Sequence, residues 1–167
     1  MTKELITTEH QMLLMANDFL EATSILAIEQ DKGNKQIIAP LLVLYSFIFE
    51  IELKCLLKIR NLNFPRGEGH NLKTLFELLS TADKDRIKQI HREQAAPRGT
   101  LAEEADAYFQ DTLDIAQQDF TTVRYVYEKI GGHHTMSLSP LLMATYTYIF
   151  EVRPEWKDQQ IDFGMTH

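Results

Sequence analysis

From Ile37 to Phe49 the chain runs thirteen residues without a charge, IIAPLLVLYSFIF. A helix wound from that stretch is apolar on every side, so other helices are expected to enclose it. Pro40 suits its first turn, where a missing N–H costs nothing. Thirteen residues fall short of the about 18 to 20 that cross a bilayer. The stretch therefore reads as the central post of a soluble helical domain. Charge enters before the apolar character ends, with Glu50, Glu52, Lys54 and Lys58 interleaved among Ile51, Leu53, Leu56, Leu57 and Ile59. Ionic groups on a helix that others surround are the first sign of a site.

The flanking segments carry helical periodicity. Over residues 3–30, Leu5, Met12, Met15, Phe19, Ala22 and Leu26 form one apolar stripe, ended by Gly33 and Asn34. After the NFPRGEG loop, a short helix presents Leu72, Leu75, Phe76 and Leu79. Ser80 can cap a weaker helix with only Ile87 and Ile90 as large apolar residues, and residues 83–100 read as a solvated excursion. Thr100 and Glu103 then signal a long helix patterned by Phe109, Leu113, Phe120, Val123, Tyr127 and Ile130, stopped by Gly131 and Gly132. A last helix follows Ser137 or Ser139, with Pro140 in its first turn and Pro154 after it. No segment alternates as a strand does. The expectation is all-α, an antiparallel bundle of five or six helices. It forms one domain over residues 1–167, with its core at about 3–152 and a polar tail at 153–167.

Seventeen basic against twenty-four acidic residues give a net charge of −7, which argues against a broad DNA-binding surface. A single cysteine, Cys55, excludes an intrachain disulfide, and the N-terminus lacks a signal-peptide pattern. The chain reads as cytoplasmic, with no membrane association. The sequence holds no Glu-x-x-His, no His-Glu-x-x-His and no second cysteine, so no metal and no cofactor is expected. His133 and His134 are adjacent and point apart, which suits a solvated helix terminus. Cys55, four residues after Ile51, reads as an inert core thiol.

What remains is a polar cluster on helices that should be buried: Glu50, Lys54, His70, Arg124 and Glu128. Glu50 and Lys54 lie one helical turn apart and can pair. His70 opens the short helix, where the dipole favours a neutral imidazole. Arg124 flanks the apolar stripe of the long helix and needs carboxylate partners, for which Glu50 or Glu128 could serve. These groups either fix helix register or form a ligand site.

The helix FIFEIELKCLL, the GHNLKTLFELL segment after a Pro/Gly loop, and FTTVRYVYE in the later helix together resemble the HEPN superfamily of small helical domains. The similarity covers about residues 40–130. It implies a homodimer in a defence or toxin–antitoxin setting, and in many members a metal-independent ribonuclease. The mark of that activity is Arg, four to six residues, then His, often with a polar residue after the Arg. The pair here at that spacing is Arg86 and His91, in RIKQIH, with Ile87 in place of the polar neighbour. Arg124 with His70 is the other candidate pair. In such chemistry His would act as general base or acid at the ribose hydroxyl, and Arg would stabilise the charged phosphorane. The resemblance therefore implies a HEPN-like domain binding a nucleotide, an RNA or a partner protein, without intact nuclease residues. The alternatives are an active metal-independent endoribonuclease and a structural helical interaction module with no small-ligand site.

Overall fold

Side-chain caps set several helix starts. Thr7, Asn71 and Ser80 accept hydrogen bonds from the backbone N–H of His10, Thr74 and Asp83. The computed structural model describes residues 7–64, 70–124 and 138–161. The fold is all-α. Among the described residues the helices are α1 (Thr8–Asp31), α2 (Ile38–Ile59), α3 (Leu72–Glu77), α4 (Thr81–Ala95), α5 (Ala102–Arg124) and α6 (Ser139–Val152). Short 3-10 turns precede α2, follow α4 and follow α6. The Gly131–Gly132 stop, Ser137 and the His133–His134 pair lie outside the described residues.

The packing is largely antiparallel. Cys55, late in α2, donates through Sγ to the carbonyl of Glu9 at the start of α1, 3.3 Å away. Arg92 at the end of α4 pairs with Asp106 near the start of α5. Arg86 and Gln94 of α4 reach Glu151 and Thr147 of α6 in reversed order.

α2 packs against α1, α3, α5 and α6, and Ile48, Phe49, Leu53, Leu56 and Leu57 are fully buried in it. Its first half is less enclosed than the uncharged run suggests. Leu42, Leu44, Tyr45 and Phe47 are half-buried and Val43 is exposed. The run Lys35–Ile59, 25 residues with its leading turn, is long and apolar enough to cross a membrane on those measures alone, and 44% of its most apolar window is buried in the protein.

The α1 stripe is offset from the sequence reading. Its deepest residues are Leu13, Ala16 and Leu20, joined by Asn17 and Thr23. Met15, Phe19, Ala22 and Leu26 form a flank that keeps solvent contact. Phe19 meets Phe47 of α2 edge-on there, with ring centroids 5.0 Å apart.

α4 is a second correction. It is no solvated excursion, because Asp83, Ile87, Ile90 and His91 are buried against α5 and α6. Those positions recur every three or four residues, so one face packs while the others carry the polarity.

The tail folds back. Trp156 stacks on His10 with ring centroids 4.8 Å apart, and the Gln159 carbonyl accepts from Asn17 at 2.9 Å. The Tyr146 hydroxyl donates to Asn17 Oδ1 at 2.8 Å and accepts from the Ile161 N–H at 3.0 Å.

Candidate functional site

Glu50 lies one turn before Lys54 on α2, and both face the loop that leads to α3. The Glu50 carboxylate accepts from Lys54 Nζ at 2.6 Å, and His70 Nδ1 sits 3.0 Å from the same oxygen, Oε1. Glu50 is buried, whereas the His70 side chain is 65% exposed. The second oxygen, Oε2, has no partner among the described residues. Lys54 and Lys58 also lie over the Phe64 ring, 5.3 and 5.8 Å from its centroid, so two cations gather at this end of α2. Glu50, Lys54 and His70 therefore come together. Arg124 ends the described part of α5 and its side chain is not described, while Glu128 falls outside the described residues.

Arg86 and His91 do not share a surface. Arg86 is held by both oxygens of Glu151, with Nε at 2.8 Å, and also reaches Glu93 at 3.1 Å. Those hydrogen bonds push its pKa upward. His91 is 4% exposed and faces the opposite flank of α4. Five residues separate the two, a rotation of roughly 140° at about 100° per residue.

His91 forms part of a pocket of about 530 Å³ that α4 shares with α5 and α6. That volume suits a small molecule. Tyr108 lies parallel to the imidazole, 8° between planes and 6.1 Å between centroids, and Phe109 meets it edge-on at 5.3 Å. Ala95 and Ala105 leave room that larger side chains would fill, and Pro140 and Met143 form the facing wall. Neither imidazole nitrogen makes a hydrogen bond among the described residues, and Nδ1 is fully buried. Burial lowers the His91 pKa, partly opposed by Asp106, so the ring is neutral at pH 7. Gln94 Nε2 is fixed by Thr147 Oγ1 at 3.1 Å, and its Oε1 is left as an acceptor. Sequence reasoning placed His91 in a nuclease pair and missed this pocket, because three helices separated in sequence build it.

Two other buried acids differ in kind. Asp83 accepts from Arg60 and from the Tyr148 hydroxyl, and the Ser80 hydroxyl donates to its second oxygen at 2.6 Å. Burial raises its pKa, but Ser80, Tyr148 and Arg60 outweigh that and hold it below the usual value. This network ties the ends of α2, α4 and α6. Glu52 is 0% exposed, neither oxygen has a partner among the described residues, and desolvation holds its pKa well above the ordinary range. Cys55 is buried, and burial, with Glu52 and Glu9 nearby, pushes its thiol up to about 12. It is chemically inert at neutral pH.

Among the described residues no group of three or more His, Cys, Asp or Glu is placed to hold a metal ion. Compared with protein-family models, with curated proteins and with solved structures, the chain finds no match.

Proposed function

We propose that this chain is a HEPN-like helical domain, homodimeric and cytoplasmic, that binds a nucleotide, an RNA or a partner protein in a defence or toxin–antitoxin setting and does not cleave RNA. The observation that supports binding over cleavage is the divergence of Arg86 and His91. Metal-independent cleavage requires a base and a cation at one phosphate. Here the guanidinium is occupied by Glu151 and Glu93 on one side of α4, and the imidazole is enclosed on the other. Support for the homodimer comes from the apolar flank of α1 and α2, where Phe19 and Phe47 are half-buried and Met15 and Val43 are exposed. A second copy would cover that flank with its own.

The test is incubation of the purified protein with RNA in EDTA, beside the Arg86→Ala, His91→Ala, His70→Ala and Arg124→Ala variants. No cleavage above a buffer control is expected from any of them. Cleavage by the wild type that disappears in Arg86→Ala and His91→Ala, or in His70→Ala and Arg124→Ala, would replace this reading with an endoribonuclease.

A further inference from the structure

The proposed binding role leaves the ligand and its seat open, and the space between α4, α5 and the start of α6 has the chemistry to narrow both. A neutral imidazole carries one donor and one acceptor in either tautomer. His91 has Nδ1 buried and Nε2 at the accessible side, neither with a partner among the described residues; natural cores seldom leave a buried group unmet. The imidazole stands at the wall of a cavity that has room for a planar ring. Beside it, Gln94 Oε1 adds an acceptor whose orientation is fixed by the Nε2 bond to Thr147. A water molecule could satisfy the imidazole, but a pocket of about 530 Å³ exceeds what one water needs many times over.

We propose that this pocket binds a purine or pyrimidine base, with the base edge hydrogen-bonded to His91 and Gln94 and its face against Tyr108 and Met143. Tyr108 and the imidazole are parallel within 8°, so the wall is aligned for a flat guest, and Met143 adds a polarisable sulfur to the lining. A hydrocarbon ring would fill the space but leave the imidazole unmet. A heteroaromatic edge with adjacent donor and acceptor meets it. Among the lining residues, Arg98 has no ion pair among the described residues and would meet a phosphate, while Thr100 and Ser139 offer hydroxyls to a sugar. The base could come from a free nucleotide or from a single-stranded RNA, and the chemistry at the pocket is the same.

This inference rests on the binding reading above but fails separately from it, since it is read by ligand titration and not by RNA cleavage. The four common ribonucleosides, their 5′-monophosphates and short homopolymer RNAs are titrated into the full chain by calorimetry, with Tm followed in parallel. At least one base is expected to bind tighter than about 1 mM as the nucleoside. His91→Phe keeps the ring and its stacking but removes both nitrogens, and should weaken binding about tenfold with helicity and Tm preserved. Ala95→Phe fills the pocket from the end of α4 and should abolish binding, which guards against a misfolded His91 variant. Arg98→Ala should weaken the monophosphate and leave the nucleoside unchanged. Tighter binding of a homopolymer than of its monomer assigns the base to RNA, and equal binding assigns it to a free nucleotide. Absence of binding by every nucleoside and monophosphate at about 5 mM, or equal binding by wild type and both pocket variants, overturns the proposal.

Discussion

Glu50 and Glu52 stand two residues apart on the same helix, both buried, and among the described residues only Glu50 has partners. Glu50 is met by Lys54 and His70, while Glu52 turns into the core beside Cys55 and Tyr146 with both oxygens unmet. The two carboxyls should therefore answer oppositely to removal.

For Glu52 the folded pKa lies above the unfolded one. Its contribution to stability is complete below the unfolded value and is lost as pH rises toward the folded value. Glu52→Met should stabilise the protein by about 1 to 3 kcal/mol at pH 8, by removing a buried group without partners, and by clearly less at pH 5. Urea unfolding at the two pH values measures this. A destabilised variant at pH 8 would mean that the carboxyl has a partner in solution.

Removing the partner of Glu50 should do the reverse. Lys54→Met leaves a buried carboxylate with only an exposed histidine beside it, at an expected cost of about 1 to 3 kcal/mol. His70→Ala should cost under about 1 kcal/mol, because that side chain is largely in water. A double-mutant cycle with Glu50→Gln should show strong coupling to Lys54 and weak coupling to His70.

Asp83 is the most connected carboxylate among the described residues. Asp83→Ala removes the acceptor of Arg60, Tyr148 and Ser80 together, for an expected loss of about 2 to 4 kcal/mol. Its folded pKa lies below the unfolded one, so its contribution is present above the unfolded value and fades as pH falls through the folded value. Asp83→Asn should accordingly flatten the acid side of a stability-versus-pH curve measured by thermal melts.

Sedimentation at micromolar concentration should show a dimer. Val43→Asp places a charge on the apolar flank at a position already 36% exposed in the single chain, so the fold should persist while the dimer dissociates. A wild-type monomer would remove the homodimer and leave the flank for another partner.

Much of the fold was legible because helix signals are local. Ser80 and Asn71 cap where their chemistry places them, and the spacing of Phe109, Leu113 and Ala116 matches the buried face of α5. Two errors share a cause. In α1 the apolar residues spread over so wide an arc that choosing Met15, Phe19 and Leu26 over Leu13, Ala16 and Leu20 was arbitrary without neighbours to decide it. In α4 the average polarity outweighed Ile87 and Ile90, although their spacing with His91 already marked one face. The site was less legible, since His70 meets Glu50 across a loop and the His91 pocket exists only where three helices converge. Spacing in sequence suggested an Arg–His pair, but helical rotation turns the two members apart.

The backfolded tail carries one more implication. A chain cut after α6 would strip the indole from His10 and leave Asn17 and the Tyr146 hydroxyl each short of a partner beneath it. The packed unit thus takes in Ile161, and the stretch from Pro154 to Ile161 works as a buckle that fastens the opening turns of the first helix.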